Sequence, residues 1–238
     1  MMNKSIRNIN YVVSGNGPAL ILLHGWGSDL TTFDNLVAQL NEDYTCYQID
    51  LPGFGKSNMD VAYSLDEYVE TIKEFCEQLE IEEPSILGHS FGGRIAIKYA
   101  SKYNVSKLIL VSSPGIKDKK SFKVKMKINF YKILKKLNIK VVMGSKDYRN
   151  ATGVLKETLV KVVNEDLTNE LYKIKIPTLI IIGEKDSVVP VRIAKKMHEI
   201  INASGLIIIP KCGHFPYIER YRYFLIVLRS FLSSDNEW

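Results

Sequence analysis

The chain has 238 residues, of which 46% are apolar and 24% are charged, as is typical of one globular domain with a sizeable core. No apolar run approaches the roughly 18 residues that a membrane span needs. The net charge is +6, but residues 115–140 hold ten lysines and one acid, a net charge of +9 that leaves −3 for the rest. Because the positive charge belongs to one segment, the composition argues against a general nucleic-acid-binding protein.

The first residues and the cysteines bear on the compartment in which the protein works. The N-terminal sequence MMNKSIRNINYVV has no apolar core of signal-peptide length. The three cysteines, Cys46, Cys76 and Cys212, are widely spaced and lack the spacing of metal ligands. We therefore expect a cytoplasmic protein with reduced thiols and without a metal or other cofactor.

Short apolar runs alternate with helix-like stretches along the chain. An N-terminal strand is expected around residues 7–14, antiparallel at the edge of a sheet. The later runs are almost continuously apolar, which is typical of parallel strands buried on both faces. They cover residues 19–25, 44–51, 85–88, 107–113, 178–184 and 205–210. The alternation predicts an α/β fold with right-handed crossovers.

Three stretches have clear helical patterns. Residues 64–79 begin with Ser64 as the N-cap and have Glu67 three positions later, which predicts a capping box. Their apolar positions recur on one helical face. Residues 191–201 and 221–232 are the other two predicted helices.

One segment interrupts this alternation. Residues 115–175 contain no strand pattern and are predicted to form two or three helices, roughly over 119–137 and 151–164. A helical insertion between two strands predicts a cap over the strand ends. Residues 1–114 and 176–238 then form the core domain, and 115–175 form the cap.

The lysine-rich part of this segment has three interpretations. Apolar residues recur in it at helical spacing, with lysines between them: Phe122, Met126, Phe130, Ile133 and Leu137. The first interpretation is a cap helix whose apolar face covers a pocket. The second is contact with an anionic membrane surface, and the third is electrostatic steering of an acidic substrate.

The most informative motif is GHSFG, at residues 88–92. Ser90 follows a predicted strand and precedes a predicted helix, and G-x-S-x-G in that context forms a sharp turn that exposes the serine. The glycines leave room for backbone where a Cβ would clash. The free N–H groups of the first helical turn face any negative charge that develops there. The alternative is an ordinary glycine-rich loop.

A serine nucleophile needs a base, and the chain has four histidines. His214 lies in a loop after the last apolar strand, where a strand end brings it to the site, and it is the best candidate. We expect His24 to hold its own loop by hydrogen bonds. His89 is expected to point away from Ser90, and His198 to lie on a helix surface.

The base needs an acid that orients it. Glu184 and Asp186 follow the preceding strand, and we choose Asp186 because it lies further out and just before a helix. Asp118, beyond the strand at residues 107–113, is the alternative acid.

An oxyanion hole needs two backbone donors. Phe91 N–H, directly after the serine, and Trp26 N–H, in the glycine-flanked HGWG loop, are the candidates. We also expect Trp26, Phe91 and Phe215 to contact the substrate.

Six segments together resemble the α/β-hydrolase superfamily, in its order and at its spacing over nearly the whole chain: LLHGWGS, DLPGFGKS, GHSFGGRIAIKYA, KLILVSSPG, IPTLIIIGEKDSVVP and CGHFPYIE. The resemblance implies a mostly parallel eight-stranded sheet flanked by helices, a small helical cap, and a triad of Ser90, Asp186 and His214. DLPGFGKS is mainly a structural turn in such proteins, so Asp50 is given no catalytic role. Within the superfamily, HGWG and DLPGFGKS look like those of carboxylesterases related to the pimeloyl-ester hydrolase of biotin synthesis. A serine at position 90 disfavours the members with an aspartate nucleophile.

The sequence thus predicts a serine carboxylesterase that acts on small to medium esters through an acyl-enzyme. Its partner is a small ester-like substrate rather than a nucleic acid. Three other uses of the same triad stay open: hydrolysis of C–C bonds, of thioesters, or of peptides at an N-terminal proline. A non-catalytic ligand-binding protein of this fold is a further alternative, and the oligomeric state is open.

Overall fold

The protein is represented by a computed structural model that describes residues 2–6, 9–117 and 151–234. Eight strands of the described chain form one sheet in the order β1-β2-β4-β3-β5-β6-β7-β8. They are β1 Met2–Ile6, β2 Ile9–Ser14, β3 Ala19–Leu23, β4 Thr45–Ile49, β5 Ser85–His89, β6 Leu108–Val111, β7 Thr178–Gly183 and β8 Ser204–Ile209. The pairs β1–β2 and β2–β4 are antiparallel, and all other neighbouring pairs are parallel.

The apolar runs of the sequence are the parallel strands, so the predicted α/β architecture is confirmed. The N-terminal prediction is wrong in one respect. The strand expected at the sheet edge, β2, lies one position inside it, because β1 pairs with it antiparallel. This pairing uses backbone N–H and C=O groups that an edge strand would leave open to other chains.

Eight α-helices and a 3-10 turn at Leu30–Phe33 lie in the described part of the chain. The helices are α1 Asp34–Leu40, α2 Leu65–Gln78, α3 Phe91–Ala100, α4 Gly153–Val163, α5 Thr168–Lys173, α6 Val191–Ile200, α7 Pro216–Glu219 and α8 Tyr221–Ser233. The capping box predicted for α2 is present: Ser64 Oγ accepts from Glu67 N–H at 3.3 Å, and Glu67 Oε2 accepts from Ser64 N–H at 2.6 Å. The predicted helices at 191–201 and 221–232 are α6 and α8.

The core lies on both faces of the sheet. In β7 all six residues are buried. Leu179 belongs to a cluster with Phe224 and Leu228 of α8, whereas its neighbour Ile180 belongs to the cluster that includes α2, α3 and α6. Burying one such side chain contributes about 1.5–3 kcal/mol. The continuous apolar runs are therefore a direct consequence of two covered faces.

The segment between β6 and β7 is described in part. Helix α4 corresponds to the helix predicted over 151–164, and α5 adds a short helix. Thr158 Oγ1 of α4 accepts from Tyr63 N–H at 3.1 Å, and Lys161 Nζ donates to Ala62 O at 2.8 Å. These bonds hold α4 against the connection between β4 and α2. The predicted helix at 119–137 with its apolar series, and Asp118, lie outside the described residues.

Candidate active site

Ser90 lies at the turn from β5 into α3 and is the N-cap residue of α3. Its φ of 50° and ψ of −109° are rare for a residue with a side chain, so the turn is strained there. A Cβ on Gly88 would lie 2.6 Å from the carbonyl oxygen of Gly92, and one on Gly92 would lie 2.1 Å from that of Leu23. Both glycines of the motif are therefore needed for the backbone to pack this closely.

The structure brings Ser90, His214 and Asp186 together at the carboxyl edge of the sheet. Ser90 Oγ lies 3.1 Å from His214 Nε2, and His214 Nδ1 lies 2.9 Å from Asp186 Oδ2. Because an ionised carboxylate only accepts, Nδ1 carries the proton, and Nε2 is left to accept from the serine hydroxyl. This order of donors is the one that a serine nucleophile with a histidine base requires.

The Asp186 side chain is fully buried. Its Oδ1 accepts from Val188 N–H at 2.8 Å and from Val189 N–H at 2.9 Å. Burial alone raises the pKa of this carboxyl, but the hydrogen bonds from His214 and the two valine N–H groups outweigh it, so the pKa lies below its ordinary value. Glu184, the other acid of this strand end, instead accepts from Lys211 N–H at 2.9 Å.

The two residues named for the oxyanion hole lie against the serine turn. Phe91 is the first residue of α3, so its N–H is among those without an intrahelical acceptor. The Trp26 ring contacts the Phe91 ring at a centroid distance of 5.3 Å. Phe91 is only 4% exposed, whereas Trp26 is partly buried. Phe215 is 39% exposed, and its ring meets the His214 ring edge to face, with the two centroids 5.3 Å apart.

The remaining histidines differ in their surroundings. His24 accepts from Leu51 N–H at Nε2 and donates from Nδ1 to Gly25 O, so it holds its loop by hydrogen bonds. Burial lowers the pKa of His24. His198 is exposed on α6.

Sequence reasoning missed two residues that hold the His214 loop. The carboxylate of Glu219 accepts from the N–H groups of both neighbours of His214, at 2.7 Å from Gly213 and 3.1 Å from Phe215. The His89 ring, expected only to point away from Ser90, lies 2.9 Å from the His214 carbonyl oxygen. The His89 contact has no local sequence signal, because it joins residues 125 positions apart, whereas Glu219 lies only four to six residues after the N–H groups that it accepts from.

Across residues 2–6, 9–117 and 151–234, no three or more His, Cys, Asp or Glu side chains converge as a metal site. No helix in these ranges is both long and apolar enough to cross a bilayer.

The fold agrees with comparison to known proteins. A family model described as alpha/beta hydrolase fold matches residues 18–138 and 143–221. The chain belongs to the alpha/beta hydrolase fold family. The matched residues include Ser90, Asp186 and His214.

Several known proteins resemble the chain over most of its length. The pimeloyl-[acyl-carrier protein] methyl ester esterase of Nitrosomonas europaea is 27% identical, over 89% of this chain and 94% of the relative. The protein of the same name from Wigglesworthia glossinidia brevipalpis is 29% identical, over 94% and 97%. Among solved structures, an esterase from Exiguobacterium antarcticum superposes with a TM-score of 0.78 at 27% identity, covering 95% of this chain and 96% of that one.

Proposed function

We propose that this chain is a carboxylic ester hydrolase that uses Ser90 as nucleophile, His214 as base and Asp186 as the orienting acid. The observation that carries the proposal is the continuous series of contacts from Ser90 Oγ through His214 to Asp186 Oδ2, at 3.1 and 2.9 Å. The relatives named as methyl ester esterases and the similar solved esterase support the ester as the substrate class.

The reaction follows from the donors and acceptors of this series. His214 Nε2 takes the proton of Ser90 as Oγ attacks the ester carbonyl carbon. Phe91 and Trp26 N–H groups stabilise the oxyanion, and His214 then protonates the leaving alcohol. Water attacks the resulting acyl-enzyme by the same steps and releases the carboxylic acid. Asp186 stays ionised throughout and stabilises the imidazolium.

Residues 115–175 are proposed to be a cap over this site, and residues 1–114 and 176–238 the core domain. Helix α4 supports the cap, because its Thr158 and Lys161 bond to the connection that follows β4. Strands β4 and β5 are both parallel to β3, so this connection leaves the sheet at the same edge as the Ser90 turn. Trp26 and Phe215, partly exposed beside Ser90 and His214, are the proposed substrate contacts of the core, and Phe91 contributes its backbone. The substrates are small to medium esters.

The test is ester hydrolysis by Ser90→Ala. We expect kcat for short p-nitrophenyl esters to fall by about 10⁴- to 10⁶-fold. A fluorophosphonate is expected to label the wild-type protein at Ser90 and to leave Ser90→Ala unlabelled. Ser233→Ala, an exposed serine at the end of α8, is the matched control and keeps both properties. Equal ester hydrolysis by wild type and Ser90→Ala would remove Ser90 from the chemistry.

The bond type is tested separately with a panel of substrates. Esters of increasing acyl length, thioesters, N-terminal prolyl peptides and C–C bond substrates are compared by kcat/KM. We expect esters alone to approach about 10⁴ M⁻¹s⁻¹ or more, the range of ordinary enzymes. A protein that binds none of them productively and resists the fluorophosphonate would be a ligand-binding member of the fold.

A further inference from the structure

We propose that His89 is a positioning residue, which holds the backbone of His214 and thereby keeps the imidazole of His214 aimed at Ser90. The inference rests on the proposed function, in which His214 is the base. His89 precedes the nucleophile in the chain and is the last residue of β5, yet it contacts the loop that carries the base, 125 residues later.

The hydrogen bonds around His89 have one consistent direction. His89 Nε2 lies 2.9 Å from the carbonyl oxygen of His214, which only accepts, so Nε2 carries the proton. His89 Nδ1 is then an acceptor, and the Tyr217 hydroxyl, 3.3 Å away, donates to it. The Thr32 hydroxyl lies 3.2 Å from the Tyr217 oxygen and donates in turn. Thr32 and Tyr217 thus select the tautomer of His89 that can hold His214.

His89 is suited to this task because it stays neutral. Its side chain is 1% exposed, and its ring centroid lies 4.9 Å from that of His214. Burial, and then the charge of His214, lower the pKa of His89 to about 3. A neutral His89 keeps one fixed donor and does not repel the positive charge that His214 gains when it removes the serine proton.

His89 also contacts the loop that carries the proposed oxyanion donor. A Cβ on Gly25 would lie 2.8 Å from His89 Nδ1 and 3.4 Å from Ser90 Cβ, so only glycine lets the HGWG loop approach. One buried ring therefore touches the nucleophile turn, the HGWG loop and the base loop. The Glu219 carboxylate holds the N–H groups on both sides of His214, so the loop keeps a second anchor when His89 is changed.

The experiment compares two side chains of similar length at position 89. His89→Gln retains an N–H donor that reaches the His214 carbonyl, and His89→Met removes it. We expect His89→Met to lower kcat for p-nitrophenyl esters about 10- to 100-fold with KM unchanged, because small displacements of a reacting group cost rate rather than binding. His89→Gln is expected to recover most of that loss. A cavity variant remote from the site, Leu228→Ala, lowers the melting temperature without changing kcat.

A spectroscopic measurement separates this inference from the proposed function. The downfield proton resonance of the N–H that His214 shares with Asp186 is expected in wild type and His89→Gln, and is shifted or lost in His89→Met. This signal does not require turnover, so it tests His89 even if the wild type hydrolyses no ester. An unchanged signal and unchanged kcat in His89→Met overturn the inference.

If His89→Met does not fold, Tyr217→Phe takes its place, because it removes only the hydroxyl that donates to His89. A several-fold lower kcat at constant KM then supports the positioning role, and a wild-type kcat overturns it.

Discussion

Asp186 carries two functions on its two carboxylate oxygens. Oδ1 accepts from the N–H groups of Val188 and Val189 and so closes the turn that leads toward α6, whereas Oδ2 faces His214. Because the folded-state pKa of Asp186 lies below its ordinary value, the carboxylate contributes stability above about pH 4 that is lost as pH falls through the folded pKa.

Because the two oxygens have different partners, Asp186→Asn tests the role of Asp186 in orienting His214. The valine N–H groups select the amide oxygen, so the amide NH₂ faces His214 Nδ1 and forces the proton of the imidazole onto Nε2. That tautomer cannot accept from Ser90, and kcat is expected to fall by about 10⁴-fold. Glu184→Gln is the matched control, because it changes an acid at the same strand end that does not contact His214. A kcat for Asp186→Asn within tenfold of wild type would contradict the orienting role.

At the scale of elements, helix α3 is joined to its neighbours by a partly buried network of charges. Lys98 Nζ lies 2.6 Å from Asp66 Oδ2 of α2 and 2.5 Å from Glu165 Oε1, which precedes α5. Arg94 donates to the carbonyl oxygens of Pro114 and Glu165. The helix that begins at the nucleophile is thereby tied to Pro114, next to the start of the proposed cap insertion, and to Glu165 within it.

The pKa shifts of Asp66 and Lys98 determine the pH range over which this network stabilises the folded protein. Burial lowers the pKa of Lys98, but the hydrogen bonds with Asp66 and Glu165 raise it above its ordinary value overall. Burial raises the pKa of Asp66, but Lys102 and Lys98 lower it below its ordinary value overall. The stabilisation is present from about pH 4 to pH 10; it is lost as pH falls through the pKa of Asp66 or rises through that of Lys98.

The element-scale prediction compares two ways of breaking this network. Asp66→Asn combined with Glu165→Gln leaves the Lys98 ammonium, 8% exposed, without an ionised partner. We expect the free energy of unfolding at pH 7 to fall by about 2 kcal/mol, between the values for exposed and fully buried pairs. Lys98→Met, which removes the buried charge itself, is expected to cost less. Urea denaturation measures both, and the reverse ranking would contradict this account.

At the scale of the whole molecule, the two-sided core decides stability. Leu179 and Ile180 are consecutive in β7, are 0% and 2% exposed, and pack into clusters on opposite faces of the sheet. We expect Leu179→Ala and Ile180→Ala each to lower the free energy of unfolding by about 2–5 kcal/mol. Val163→Ala, at an exposed position of α4, is expected to change it by less than about 0.5 kcal/mol. The free energies are measured by urea denaturation. If either β7 variant unfolded with the wild-type free energy, the corresponding face of the sheet would not be covered.

Much of the fold could be predicted because its signals are local. The continuous apolar runs that became β3 to β8, the Ser64 capping box and the GHSFG turn each lie within a few residues. The edge position of β1 had no such signal, since strand pairing depends on partners. The catalytic roles, the domain division and the cytoplasmic location stay predictions, and so do the three interpretations of the lysine-rich segment, most of which lies outside the described residues.

By itself, the sequence determined the order of strands and helices along the chain, the strained turn at Ser90, and the histidine and acids at the following strand ends. Only the tertiary structure decided that His214 lies between Ser90 and Asp186 at hydrogen-bond distance from both, and that His89 holds the His214 backbone. The physical reason is the distance along the chain over which each interaction acts. Backbone propensity and apolar patterning act over a few residues, whereas hydrogen bonds between loops depend on distances set by the whole packed sheet.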